Sequence, residues 1–481
     1  MLKWLSRLSN VAAIMHENYV YTNFRGGIIM SLQTIINDSE RLLLGEQISD
    51  VYKKDAYVTD VVDVQAVALV KTTDEVRKLV NYAIEQDLKI IARGAGTGVA
   101  GAQVPIHGNE LIIDVSQMKQ IIELDEATMT LTVEPGVLLS EIQEYVESRG
   151  YFYPPDPGSK HSTIGGNVAT NAGGMRAVKY GTTRDYVRAM EVVMPTGETV
   201  ELGSLNIKSS SGYDLKNLLI GSEGTLGIIT QIKLKVLPLP KYKQSVLLAF
   251  DSVTSATDGV LTILSNGIEP TALELFERGT IAYSEKFTKE LLPLQLGDAY
   301  VLMTLDDNEM QSITRRVKVV EQLVQNKAIA ALTLNKEQEK SAWKLRDYIL
   351  VALMEFTEFE MLDEVVPINR FAEMISYTKE LQRKHGIRVI NFGHAGDGNI
   401  HTVLMKEDLE QEIWTAKREA LLADLYEKVA NLGGLPSAEH GIGIIKKSYL
   451  EKMINPVELN LMRKVKNAID PDDRLNPGKL I

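Results

Sequence analysis

Ala92-Arg93-Gly94-Ala95-Gly96-Thr97-Gly98-Val99-Ala100-Gly101 continues a short apolar stretch, Lys89-Ile90-Ile91-Ala92, that reads as a strand. Residues 96–101 match the GxGxxG pattern of doubly wound dinucleotide-binding folds. That pattern needs a helix next, its N-terminus against a pyrophosphate. Pro105 and Gly108 interrupt the following ten residues, and the strand at Leu111-Ile112-Ile113-Asp114 arrives too soon to leave room for one. The context therefore argues against a Rossmann site. The loop reads better as a nest of backbone N–H groups that holds a diphosphate without a helix. Glycine suits such a nest because a side chain would keep the phosphate away. Taken alone, the same loop is read equally well as an ordinary tight turn.

Two more loops shift that balance. Thr163-Ile164-Gly165-Gly166-Asn167 leads to Asn171-Ala172-Gly173-Gly174, and Gly221-Ser222-Glu223-Gly224-Thr225-Leu226-Gly227 follows about fifty residues later. Three glycine loops between short strands imply a large, extended ligand approached by backbone at many points. Flavin adenine dinucleotide, with diphosphate, ribityl chain and ring system, meets that demand.

Around these loops the chain alternates helical and extended patterns. Residues 31–50 carry apolar side chains at helical spacing and predict a leading helix. A strand is expected at 65–71, then a helix capped at Thr73-Asp74-Glu75-Val76 and running to Gln86. Thr130–Val133 reads as a strand and Ser140–Arg149 as a helix, whereas 151–230 reads as glycine-rich and irregular. Residues 231–240 alternate as a strand and stop at two prolines, the best domain boundary. Beyond it, strands at 245–250 and 299–305 alternate with helices at 253–265, 309–326 and 337–354, which suggests an α+β cap around an antiparallel sheet. Further helices are expected from 411 and across 456–468. The resulting division is a FAD-binding domain at 30–240, a substrate or cap domain at 241–420, and a segment at 421–481 that returns to the cofactor. Residues 1–29 fit no element. Arg25-Gly26-Gly27 can be encoded by a purine-rich, ribosome-binding-like tract just upstream of Met30. A start at Met30 is one reading and a real N-terminal arm the other; the intact mass of native protein decides between them.

Composition bounds the chemistry. The 481 residues are 44% hydrophobic and 24% charged, ordinary globular values that exclude disorder and fibrous repeats. Net charge is −12, which disfavours nucleic acid and anionic membranes as general partners. No cysteine is present, so thiol catalysis, thiolate zinc sites and iron–sulfur ligation are excluded. No apolar run of about 18 residues suggests a membrane span, and a cytoplasmic protein is expected.

ARGAGTGVAG at 92–101, PPDPGSKHSTIGGNVATNAGGMRAVKYGTTRDYV at 154–187 and NLLIGSEGTLGIIT at 217–230 together resemble the FAD-binding domain of the vanillyl-alcohol oxidase type. Within that type they are similar to the family of the glycolate oxidase flavin subunit and D-lactate dehydrogenases. The resemblance spans about residues 50–481. It implies an α+β fold: a two-lobed FAD-binding domain with an antiparallel-sheet cap. It implies that Arg93, Gly94, Ala95, Gly96, Thr97, Gly98 and Val99 wrap the diphosphate. Pro157, Ser159, Thr163, Ile164, Gly165, Gly166, Asn167, Asn171, Ala172 and Gly173 would line the flavin. Glu223, Gly227, Ile228 and Ile229 would meet the adenosine half or the ring edge. Members with covalent flavin carry a histidine in the first loop; none is present here, so non-covalent FAD is expected.

Two of the seven histidines stand in Phe392-Gly393-His394-Ala395-Gly396-Asp397-Gly398-Asn399-Ile400-His401. The glycines forbid a helix, and Asp397-Gly398 is a favourable two-residue hairpin turn. Counting outward from that turn places His394 directly opposite His401, close enough to share a divalent cation. Ser437-Ala438-Glu439-His440-Gly441 offers a carboxylate and an imidazole side by side. Neighbours in an extended chain point oppositely, so one could bind metal while the other faces the reacting atoms. The resemblance implies that His394, His401 and Glu439 are the metal ligands and His440 the general base. Nitrogen and oxygen donors suit zinc, iron(II) or manganese alike.

Arg346, on a predicted helix, matches the family position for the substrate carboxylate, where a bidentate clamp is usual; its alternative is a solvated pair with Asp347 or Glu339. Relatives that oxidise D-2-hydroxyglutarate carry a Lys shortly before Asp-x-x-x-Pro and a Thr four residues after the Arg. Here those places hold Met361 and Leu350. A small D-2-hydroxy acid, D-lactate or glycolate, is therefore the expected substrate, with D-2-hydroxyglutarate the alternative. The implied reaction is metal-assisted hydride transfer to flavin N5. An electron-transfer flavoprotein, an iron–sulfur subunit or a quinone would then take the electrons. A metal-dependent hydrolase and a non-catalytic electron-relay subunit are rival readings; the first leaves the glycine loops unexplained, and the second predicts that loss of His440 is harmless.

Overall fold

Where each strand falls follows from which short apolar runs can bury both faces. In the computed structural model, which describes residues 31–55, 58 and 61–481, the first sheet is built from such runs. It contains β1 (Leu42–Leu43), β2 (Ala66–Leu69), β3 (Lys89–Arg93) and β4 (Glu110–Asp114), in the order β1-β2-β4-β3. β2 and β3 run parallel to β4, whose five residues are all buried. The helix Thr73–Glu85 covers this sheet with Val76, Leu79, Val80 and Ala83. Its cap is Thr72, one residue earlier than expected, whose hydroxyl accepts the Glu75 amide. The expected helix over 31–50 is reduced to Leu32–Ile35. Asp38 Oδ1 accepts the Glu40 amide in a local turn, and Leu42-Leu43 then pairs with Ala68 and Val67. The proposed start at Met30 concerns residues outside those described.

The second sheet is antiparallel. It comprises β5 (Ile121–Asp125), β6 (Thr130–Val133), β8 (Val187–Val193), β9 (Thr199–Gly203) and β10 (Ile228–Lys235), ordered β5-β6-β10-β8-β9. A two-stranded ribbon joins β7 (Tyr151–Phe152) to β11 (Leu237–Pro238). The reading of 151–230 as irregular is therefore corrected: β8, β9 and the helix Ile164–Thr170 all lie inside it. Gly197 closes the β8–β9 turn on Met194 O, and the apolar positions of β8 join the core beneath.

The third sheet is larger. Its strands are β12 (Tyr242–Phe250), β13 (Ala272–Glu277), β14 (Ala299–Asp307), β15 (Ala330–Thr333), β16 (Phe359–Met361), β17 (Glu364–Val365), β18 (Arg388–His394) and β19 (Asn399–Met405). The order is β15-β12-β14-β13-β18-β19-β16, with β17 also on β19. Alternation splits β12 between two cores. Val246, Leu248 and Phe250 face the helices Val253–Ser265, Met310–Val324, Phe371–His385 and Gln411–Asn431. Leu247 and Ala249 face the helices Arg278–Thr288, Lys336–Asp347 and Ile349–Phe356. The single helix expected at 337–354 is thus two, parted at Tyr348.

The chain finally returns to its beginning. Ile444 N donates to Ala100 O, and Leu480 N donates to Gly443 O. Ile90 and Asn476 join the tail to β3, with Asn476 N on Ile90 O at 2.7 Å.

Candidate active site

The β18–β19 hairpin carries the first two histidines, but its register differs from the expected one. His394 pairs with Asn399, and Phe392 pairs with His401. The loop is four residues, Ala395 to Gly398, rather than two. Gly398 sits at φ +86°, and a Cβ there would lie 2.1 Å from Val366 O, so packing against the neighbouring strand sets the wider turn. The two histidines are diagonal, not opposite. Because Asn399 and His401 share a face, the rings still meet, with centroids 5.3 Å apart and nearly perpendicular.

Glu439 and His440 lie in a bend rather than in an extended strand, so both face the same cluster. Glu439 Oε1 is 3.6 Å from His394 Nε2, 3.7 Å from His401 Nε2 and 4.0 Å from His440 Nε2. These separations exceed a hydrogen bond and suit donors that share one cation. Glu439 Oε2 and His401 Nδ1 are buried with no hydrogen-bond partner among the described residues. The bend is held by Asp363, a residue not singled out for the site from sequence. Its Oδ2 accepts from Ser437 Oγ at 2.6 Å and from the amides of Ala438, Glu439 and His440 at 3.1, 3.0 and 2.8 Å. Its Oδ1 accepts from Asn399 Nδ2 at 3.0 Å. Burial pushes the Asp363 carboxyl up, but His440, Lys446 and His401 outweigh it and hold it below the usual carboxylate range. Asp363, His401, Glu439 and His440 offer donor atoms all within 4.8 Å of one another. Asp363 has its oxygens filled, so the groups that could hold a cation are Glu439 and the imidazoles of His394, His401 and His440 that face it.

Glu274 of β13 is the second residue the sequence did not mark. Its Oε1 lies 2.6 Å from His394 Nδ1, and its Oε2 accepts from Arg346 Nε at 2.7 Å and Nη2 at 2.5 Å. With the proton on Nδ1, His394 Nε2 keeps its lone pair for a cation beside Glu439 rather than for a hydrogen bond to that carboxylate. Burial opposes ionisation of Glu274, yet Arg346 and His394 bring its carboxyl down to about 2. His401 is pushed down to about 3 by burial and by His394. Arg346 is therefore paired with Glu274, with Asp347 as a looser second partner, and not with Glu339. Its Nη1 stands 3.9 Å from Asp347 Oδ1, so one nitrogen rather than a bidentate fork is left for an anion. Met361 packs into the apolar cluster of Leu345, Ile349 and Leu353 beside it.

A cleft with about 980 Å³ of atom-free space opens where β3, β4 and β10 converge. Arg93, Gly94, Ala95, Gly96, Thr97, Gly98, Thr163, Gly165, Gly166, Asn167, Glu223, Gly227, Ile228 and Ile229 line it. So do Gln103, Ser162 and Ser222, which the loop patterns did not single out. The amides of Gly96, Thr97 and Gly98 find no acceptor among the described residues, and Arg93 Nη1 is likewise buried without a partner. An anionic diphosphate fits such a set of donors. Seven expected contacts lie elsewhere. Ile164 is in the core below, and Val99 lines a smaller chamber with His440. Asn171 Oδ1 accepts from Thr182 Oγ1 and Arg184 N, and Ala172 O accepts from Thr183. Gly173 abuts Glu439. Pro157 and Ser159 sit on the loop that Asp156 bridges to Gly174. Glu223 spends both oxygens on backbone amides, Ile442 at 2.6 Å and Gly443 at 2.8 Å.

Comparison with known proteins agrees with this geometry. Residues 64–203 match the family described as FAD binding domain, and residues 239–480 match FAD linked oxidases, C-terminal domain. A D-lactate dehydrogenase of Anaerostipes hadrus is 39% identical over 92% of this chain and 94% of its own length. The glycolate oxidase subunit GlcD of Bacillus subtilis is 36% identical over 86% and 88%. A D-2-hydroxyglutarate dehydrogenase of Stutzerimonas stutzeri is 30% identical over 86% and 90%. Among solved structures, p-cresol methylhydroxylase superposes with a TM-score of 0.76 at 16% identity, over 94% of this chain and 95% of that one. The 4-ethylphenol oxidase of Gulosibacter chungangensis gives 0.73 at 17%, over 94% and 96%. These two likenesses show the fold alone. No helix among the described residues is long and apolar enough to cross a membrane. The paired domains and the relatives together establish that the chain belongs to the FAD-linked oxidases, as an FAD-dependent oxidoreductase of the vanillyl-alcohol oxidase fold.

Proposed function

We propose that this protein oxidises a small D-2-hydroxy acid, D-lactate or glycolate, to the 2-oxo acid with help from a divalent cation. The observation that carries the reading is Glu439 Oε1, faced by three imidazole nitrogens without a hydrogen bond, one Glu–His link away from Arg346. The names of the similar dehydrogenases support the substrate class. Bound FAD supplies a hydride acceptor, and a cation held by His394, His401 and Glu439 supplies Lewis acidity. Arg346 binds the substrate carboxylate through Nη1. Glu274 keeps that guanidinium and the His394 ring in register. The imidazole of His440 takes the hydroxyl proton, and Asp363 fixes its backbone so that the ring stays beside the cluster. Met361 and Leu350 stand where relatives that oxidise D-2-hydroxyglutarate carry Lys and Thr, which favours monocarboxylates over D-2-hydroxyglutarate. Electrons leave to a separate acceptor, an electron-transfer flavoprotein, an iron–sulfur subunit or a quinone.

Anaerobic addition of D-lactate, L-lactate, glycolate and D-2-hydroxyglutarate to the yellow protein tests this. D-lactate or glycolate should bleach the absorbance near 450 nm, and His440→Ala should keep the colour but lose the bleaching. Bleaching by D-2-hydroxyglutarate alone would overturn the substrate, and no bleaching by any of the four would overturn the activity.

A further inference from the structure

We propose that FAD and the divalent cation bind cooperatively, and that Glu223 is the residue that couples them. The inference rests on the metal reading above and goes beyond it, from where the ions sit to how the two sites depend on each other.

The segment that carries Glu439 and His440 is held from two sides. Asp363 of the large sheet grips its first half through four donors to one oxygen. Its second half is held by the cofactor loops. Glu223, which lines the cleft, accepts the amides of both Ile442 and Gly443 and is 6% exposed. The first loop adds Ala100 O, which accepts from Ile444 N at 3.0 Å. The second loop touches the ligand itself: a Cβ on Gly173 would lie 3.1 Å from Glu439 Oε2. All three glycine loops therefore contact the six residues 439–444. A cofactor that orders the loops must order the cation ligand, and a cation that fixes Glu439 must fix the loops. Thermodynamic reciprocity makes the two effects equal. Glu223 is the positioning residue because its carboxylate alone spans the cofactor wall and the ligating segment with two short bonds. A glutamine there would turn one N–H toward another N–H and slacken the hold.

The test uses the full-length chain with and without flavin. Mn2+ binding to deflavinated and FAD-loaded protein is followed by electron paramagnetic resonance, and FAD binding is followed by flavin fluorescence with and without Mn2+. The expected result is Mn2+ affinity at least about fivefold tighter with FAD bound, and the same factor for FAD with Mn2+ present. Glu223→Gln, checked for an unchanged circular dichroism spectrum, should bind both but with a factor clearly smaller than in the unaltered protein, since the contacts of Ala100 and Gly173 remain. Equal Mn2+ affinity with and without FAD in the unaltered protein would overturn the coupling while leaving the metal site standing. A full coupling factor in Glu223→Gln would overturn the role of Glu223. Failure to bind Mn2+, Zn2+ or Fe2+ in either state would overturn the metal reading and this inference with it.

Discussion

Glu274 and Asp363 show how much a single buried carboxylate can organise. Each is at most 1% exposed, and each is satisfied by several donors that belong to the site. For Glu274→Gln, the His394 ring loses its charged anchor, and loss of such an outer hydrogen bond weakens metal binding by roughly 10–100-fold. Metal titration checks this, with FAD content expected to hold. Asp363→Ala leaves three amides and the Ser437 hydroxyl without their acceptor, at a cost of about 3 kcal/mol or more in unfolding free energy. Denaturant unfolding measures it. Arg346→Lys keeps the charge but loses the planar pairing with Glu274, so KM for D-lactate should rise by about tenfold or more with the yellow colour intact. Steady-state kinetics tests that, and an unchanged KM would remove Arg346 from substrate binding.

Among the elements, the EHGIG segment is the one whose shape matters most. Gly443 sits at φ +51°, and a Cβ there would fall 1.8 Å from Ala100 O. Gly443→Ala should therefore displace the segment from the first loop and cost about 3 kcal/mol or more. Loss of both flavin and metal, followed by absorbance and metal analysis, is the expected outcome; retention of both would show that the contact yields. The β18–β19 hairpin teaches a complementary lesson. Its glycines and Asp397 forecast a turn, and two histidines seven residues apart forecast a shared face. The register moved by two because Gly398 is packed on Val366 O, and only the parity that keeps both rings on one face survived unchanged.

At the scale of the whole molecule, the C-terminal tail straps the two halves together. Lys479 is 2% exposed, and its ammonium donates to Val104 O. Burial pushes it down to about 8, despite Glu110 and Glu223 nearby. Between pH 8 and the unfolded value near 10.5, the unfolded chain holds more protons, so stability rises with pH across that window. The burden on folding below pH 8 is on the order of 3 kcal/mol. Denaturant unfolding at pH 7.5 and 9.5 should therefore show a gain in the unaltered protein that is absent in Lys479→Met.

The same scale separates what was legible in the chain from what was not. The glycine loops, the His394/His401 pair and the Glu439-His440 doublet were visible as local patterns, whereas Arg346 and the division of roles among these residues came only as what the family resemblance implies. A backbone nest needs adjacent glycines, and a shared face needs only strand parity. The helical spacing at 31–50 and the glycine density at 151–230 misled for the same reason in reverse, since both runs are decided by partners far away, β2 for one and β10 for the other. The roles of Glu274, Asp363 and Glu223 were hidden too. Glu274 and Asp363 were not marked for the site and Glu223 was expected to meet the cofactor, because the meaning of each comes from donors 36 to 220 residues distant. By itself the sequence determined which groups could do chemistry, because side-chain type and short-range geometry are written in order along the chain. Only the tertiary structure decided which carboxylates orient those groups, because a buried charge takes its partners from whatever the fold brings within 3 Å and sequence distance places no limit on that.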